Sequence, residues 1–173
     1  VAGVNPYHPR AAAYRAVIAH LRHQPDLEQR EREAALKFWK ANPEPLHVIG
    51  RKLSQKYRFQ EGAAYQRETL TLVADYLPAK IQLAQDLLRL GEEAEGWKLA
   101  AEVYQADEYS VLAHNLTTLQ ENLAKFRTLE ADGFQLRMDA TEAEIYGGRV
   151  LQLLSRAKAA LCAKYEFQLD RPI

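Results

Sequence analysis

The sequence predicts an all-α fold, an α-solenoid of antiparallel helix pairs followed by a short strand and a long C-terminal helix. Three observations lead there. Apolar residues recur at helical spacing along most of the chain. Only 8 Gly and 7 Pro occur in 173 residues, which suits long helices better than many short strands. Several positions also recur 34 residues apart. Pro9 matches Pro43, Ile49, Gly50 and Leu53 match Leu83, Ala84 and Leu87, and Glu61-Gly62 matches Glu95-Gly96. One offset shared by small, apolar and turn-adjacent positions marks an internal repeat.

Each repeat reads as two helices. Pro9 opens the first at the position where its fixed φ and missing donor are tolerated. Tyr14, Val17, Ile18 and Leu21 give it an apolar stripe. Pro25-Asp26 breaks the pattern, and Asp26 with Gln29 has the form of a capping box. The second helix then runs to about residue 41 on Leu27, Ala34, Ala35, Phe38 and Trp39, and Asn42-Pro43 closes the unit. The next pairs span about 44–57 with 60–74 and 79–90 with 92–104, and Gly91 supplies the permissive turn residue. A further helix over about 111–126 rests on Leu112, Leu116, Leu119 and Leu123. The repeats are expected at about 9–42, 43–76 and 77–110, with the extra helix completing a region 1–127.

Beyond Asp132-Gly133 the period changes. Phe134, Leu136 and Met138 alternate with Gln135 and Arg137, the pattern of a strand. Asp139 and Glu142 form a capping box for a helix over about 140–165. Its apolar face is expected on Ile145, Val150, Leu151, Leu154, Ala157 and Leu161. The tail 168–173 carries no further element. A lone strand leaves its ladder unpaired, so residues 128–173 read as the opening of a second domain. Val1 in place of Met leads to the expectation of a processed, trimmed or partial chain.

Composition bounds the function. Lys plus Arg and Asp plus Glu both number 23, so no broad basic field exists to hold nucleic acid. A hydrophobic content of 47% argues against a disordered polyelectrolyte. No apolar run reaches 18 residues, so no membrane span is expected. One cysteine, Cys162, cannot form an internal disulfide or a CxxC zinc site, and it reads as a packing residue rather than a nucleophile. His20 and His23 share a helix side but lack further ligands, so no metal and no cofactor is expected. Glu28-Gln29-Arg30-Glu31-Arg32-Glu33, with its Glu28–Arg32 spacing, reads as a solvated helix face.

The 34-residue helix pairs resemble tetratricopeptide (TPR) repeats. Gly50 and Ala84 match that family's small position on the first helix, and Gly62 and Gly96 stand where it usually has alanine on the second. Its tryptophan and tyrosine positions are poorly matched. The resemblance implies a right-handed solenoid whose first helices line a concave groove. By that phasing His47, Arg51 and Gln55 face the groove, Gln85 and Arg89 follow from the next repeat, and His114 joins from the next helix. Arginine forks there suit carboxylates on a bound peptide.

A narrower resemblance covers most of the chain. Gly50–Phe59, Tyr76–Gly91 and the stretch from Asp132-Gly133-Phe134 to Tyr165 look like bacterial proteins in which TPR repeats precede a peptidase MA-like (gluzincin) zinc protease domain. Such a domain would carry an HExxH helix and a downstream glutamate. No His in this chain is followed by Glu, so no catalytic residue carries over. The expected function is therefore a non-catalytic module for protein or peptide contact, the arm of a larger metallopeptidase-like protein. Two alternatives are a purely structural part of that protease, and self-association through Phe134–Met138 or the 140–165 helix.

Overall fold

The computed structural model describes residue 5 and residues 7–169. Among these, eight helices and two strands follow in the order α1 (Pro9–Leu21), α2 (Pro25–Leu36), α3 (Glu44–Ser54), α4 (Phe59–Leu72), α5 (Leu77–Leu90), α6 (Glu93–Ala106), α7 (Val111–Leu123), β1 (Arg127–Ala131), β2 (Phe134–Met138) and α8 (Ala140–Tyr165). The helices pack in adjacent pairs, α1 with α2, α3 with α4 and α5 with α6, and the stack continues through α1 on α3 and α4 on α5. This is an all-α solenoid with a small hairpin and a long helix appended. The chain divides into two compact units, Val1–Thr117 and Thr118–Ile173, and the division falls within α7. Val1 and residues 170–173 of the tail lie outside the described residues.

In the first unit the core is a series of small clusters between successive helices. Ala13, Ala16, Val17, Leu46, Ile49, Leu53 and Tyr65 form the first. Ala63, Leu83 and Leu87 form the second, and Ile81, Val103 and Ala113 the third. The α3–α4 crossing depends on two glycines. A Cβ on Gly50 would lie 2.8 Å from Tyr65 Cβ and 2.9 Å from the Gly62 carbonyl. Side chains at both positions would push the helices apart, which accounts for the small-residue pattern at the repeat offset.

Several element boundaries differ from the sequence reading. Helix α2 ends at Leu36, and Phe38 and Trp39 stand exposed rather than on a helical core face. Asp26 lies inside the first turn of α2, and no side chain caps that helix. Helix α3 ends at Ser54, where Tyr57 takes a left-handed φ of 61°. On α1 the buried face is Ala12, Ala13, Ala16, Val17 and Ala19, whereas Tyr14 and Ile18 are exposed. Small alanines let α1 lie close to its neighbours, which a search for large apolar residues overlooks.

The largest correction concerns the strand. Phe134–Met138 is not alone: it pairs antiparallel with β1, Leu129 opposite Leu136 and Ala131 opposite Phe134. Asp132 and Gly133 turn the chain with φ of 51° and 80°, the double positive φ of a tight hairpin. One face carries Leu129, Ala131, Phe134, Leu136 and Met138, which are half-buried. Asp139 caps α8, its carboxylate accepting from the Thr141 and Glu142 amides. Gly147 of α8 sits against Leu129. Ser155 donates to Asp132 Oδ2 at 2.6 Å, and Lys158 to the Asp132 carbonyl at 2.9 Å. On α8 only Ala143 and Gly147 are buried, while Ile145 and Leu161 of the expected apolar face are exposed.

Candidate functional site

The first unit contains a cleft of about 490 Å³ lined by Arg51 and Ser54 of α3, Gln55 and Tyr57 of the α3–α4 turn, Phe59 at the start of α4, and Gln82, Gln85, Asp86 and Arg89 of α5. Four of the six expected groove residues meet here. Arg51 with Gln55, and Gln85 with Arg89, are each one helical turn apart. The two pairs stand 34 residues apart with amide and guanidinium exchanged. The repeat thus delivers two arginines and two glutamines to one cleft from successive first helices.

The two arginines are held differently. Arg89 stacks its guanidinium 5.2 Å from the Phe59 ring centroid and donates to the Gln85 carbonyl at 3.2 Å. Arg51 is exposed. Neither forms an ion pair with a carboxylate among the described residues. In a chain of no formal net charge they concentrate positive charge at this place.

Behind them lies Asp86, fully buried and not recognised from the sequence. Its Oδ1 accepts from Gln82 Nε2 at 3.0 Å, and its Oδ2 lies 2.8 Å from Ser54 Oγ. Burial pushes the Asp86 carboxyl above the usual carboxylate range, against the lowering effect of the Ser54 and Gln82 hydrogen bonds and the Arg89 charge. Ser54 Oγ is also 3.0 Å from the Gly50 carbonyl. One hydroxyl proton serves one acceptor at a time. Ser54 Oγ thus has two acceptors within reach of its single proton, Asp86 Oδ2 and the Gly50 carbonyl. The one signal available in the sequence was Asp86 itself, an acid placed between Leu83, Ala84 and Leu87 on a core face.

His47 does not face the groove. It is buried, with Nδ1 2.9 Å from Gln66 Oε1, while Gln66 Nε2 donates back to the His47 carbonyl at 3.2 Å. Burial lowers its pKa, only partly offset by the Gln66 hydrogen bond. It is a satisfied core histidine, because its turn of α3 points toward α4. His114 is exposed on α7 with its ring 5.7 Å from Tyr104, and it does not line the cleft.

The segment read as a solvated helix face is instead structural. His20 Nδ1 lies 3.0 Å from Glu28 Oε2, and its Nε2 contacts Glu61 Oε2. Tyr65 donates to Glu28, and Arg32 donates to Glu68. Burial alone would raise the Glu61 pKa, but hydrogen bonds from His20 and Arg58 outweigh it and lower the value. Glu28 and Arg32 therefore tie α2 to α1 and α4 rather than to each other. His23 does not join His20. Among the described residues, no group of three or more His, Cys, Asp or Glu is placed to hold a metal ion.

The second unit has an apolar pocket of about 320 Å³ bounded by Phe134 of β2, Leu154, Leu161 and half-buried Cys162 of α8, and the following Phe167 and Leu169. No described helix is long and apolar enough to cross a membrane. A comparison with protein-family models finds no match, and a search of curated proteins finds none.

Proposed function

We propose that this chain is a non-catalytic helical-repeat module that holds a protein or peptide segment, with the α3–α5 cleft as the place of contact. The observation that carries this reading is the pair Arg51 and Arg89, brought to one cleft from repeat-equivalent helices and left without carboxylate partners among the described residues. Guanidinium groups so placed complement acidic side chains on a bound segment. Stacked repeats present extended surfaces of this kind.

Fluorescence polarisation of labelled acidic peptides tests the reading. Binding is expected to weaken about ten-fold for Arg51→Ala or Arg89→Ala, the loss of one charge-assisted contact. Unchanged binding in both variants would remove the cleft from the function.

A second reading concerns the parent protein. The resemblance of Tyr76–Gly91 and of Asp132–Tyr165 to TPR-containing peptidase MA-like proteins supports a place beside a zinc protease domain. The exposed apolar residues of the second unit, Leu153, Leu161, Tyr165 and Phe167, favour coverage by further polypeptide or a second copy. An HExxH motif with a downstream glutamate in the same encoded polypeptide is the expected finding. A monomer–dimer equilibrium in sedimentation would favour self-association instead.

A further inference from the structure

Two amides in the cleft are oriented from behind. Gln82 Nε2 is turned to Asp86 Oδ1 at 3.0 Å, which leaves Gln82 Oε1 as an acceptor on the α5 wall. Gln55 Oε1 accepts from Lys52 Nζ at 2.9 Å, which leaves Gln55 Nε2 as a donor on the α3 wall. Asp86 cannot itself reach a ligand, since it is fully buried and its second oxygen is engaged by Ser54. It acts only by fixing which end of Gln82 faces outward.

An acceptor on one wall and a donor on the other match one chemical pattern above others. An extended polypeptide offers an N–H and a C=O at every residue. We propose that the cleft reads the main chain of an extended peptide, with Gln82 accepting a peptide N–H, Gln55 donating to a peptide C=O, and Asp86 positioning Gln82. The inference rests on the peptide reading above and adds that the ligand is recognised as polypeptide, not merely as a carboxylate. Arg51 and Arg89 then select segments with acidic side chains.

The test uses the whole chain and two probes, an Ala-Glu-Ala-Glu-Ala peptide with fluorescein on its N-terminus and an amidated C-terminus, and the same peptide N-methylated at its three central residues. Methylation removes the three central N–H donors and keeps both carboxylates. Wild type is expected to bind the methylated probe about five-fold more weakly, the worth of one hydrogen bond. Gln82→Ala is expected to bind both probes alike. Asp86→Leu should also abolish the difference, and Asp86→Asn, which keeps an acceptor toward Gln82, should restore it. Gln82 is only half-buried, so Gln82→Ala carries the test if Asp86→Leu unfolds the chain. Equal wild-type affinity for the two probes, or a methylation penalty that persists in Gln82→Ala, overturns main-chain reading. If the arginine variants still lose affinity in that case, the peptide function stands without it. Absence of binding to either probe at millimolar concentration overturns both.

Discussion

The two units solve the burial problem differently. In the first, Leu46, Ile49, Leu53, Leu83 and Leu87 are almost wholly buried, and the polar groups beneath them are matched: His47 with Gln66, Asp86 with Ser54 and Gln82. In the second, the buried positions of α8 are Ala143 and Gly147, while Ile145, Tyr146, Leu153, Leu161, Tyr165 and Phe167 remain exposed. One hairpin and one helix make a single layer on each side, too thin to enclose a large side chain. The stack of helix pairs holds its own cores, whereas the hairpin–helix unit relies on its turn hydrogen bonds and half-buried faces. Stability should therefore be concentrated in the first unit.

The sharpest break of this comparison is a pair of leucine truncations. Leu53 is 0% exposed and Leu153 is 58% exposed. Leu53→Ala is expected to cost roughly 2–5 kcal/mol, the lost transfer energy plus the cavity. Leu153→Ala should change stability by no more than about 0.5 kcal/mol. Both tryptophans, Trp39 and Trp97, lie in the first unit, so their fluorescence reports its denaturation alone. Hydrogen exchange then reports the second unit, whose amides should open at lower free energy. A Leu153→Ala penalty comparable to that of Leu53→Ala would show that the second unit buries this side chain after all.

The same contrast explains what could be read in advance. The helix pairs were legible because a 34-residue offset and a helical apolar period agree along the first unit. The small positions Gly50 and Gly62 turned out to be a true helix crossing. β1 escaped because the sequence reading ends the preceding helix at about 126 and gives residues 128–131 no element, although Leu129 and Ala131 alternate there with Thr128 and Glu130. The Asp-Gly pair between two alternating runs was the signal for a hairpin. At the candidate site, Arg51, Gln55, Gln85 and Arg89 were placed by phasing alone. His47 failed by the same phasing, because one turn along a short helix carries a residue from the open side to the α4 interface. Asp86 was missed because a sequence does not show that an acid among leucines has Ser54 and Gln82 waiting for it.

A second, smaller effect separates the polar groups within the first unit by pH. Burial raises the folded pKa of Asp86 above its unfolded value near 3.9. Its contribution is therefore full below about pH 3.9 and is lost as pH rises through the folded value. Burial lowers the folded pKa of His47 below about 6.5, so its contribution is full above that value and is lost as pH falls. Denaturant unfolding followed by fluorescence from about pH 4 to 8 checks both signs. Asp86→Asn, which keeps an acceptor for Gln82 and has no ionisable group, should flatten the loss on the rising side. His47→Gln should flatten the loss toward acid. A wild-type and Asp86→Asn pair with parallel pH profiles would mean that Asp86 is ionised in the fold.

The smallest effect is expected where the geometry looks strongest. Arg67 of α4 makes a two-pronged ion pair with Glu95 of α6, at 2.7 and 2.8 Å. Glu95 is the repeat counterpart of Glu61, yet the two are set differently. Glu61 is held by His20 of α1 and by Arg58 at the start of its own helix, whereas Arg67 and Glu95 are 48% and 42% exposed. Water screens such a pair and its two long side chains lose freedom in forming it. Arg67→Ala is thus expected to cost at most about 1 kcal/mol at low salt. Near 1 M salt, where the screening length falls to about 3 Å, the cost should fall toward zero. Chemical denaturation at the two ionic strengths reads the difference. A penalty that survives high salt would mean that the Arg67 stem contributes by packing between α4 and α6, and that the repeat offset preserves a contact surface there rather than a charge pair.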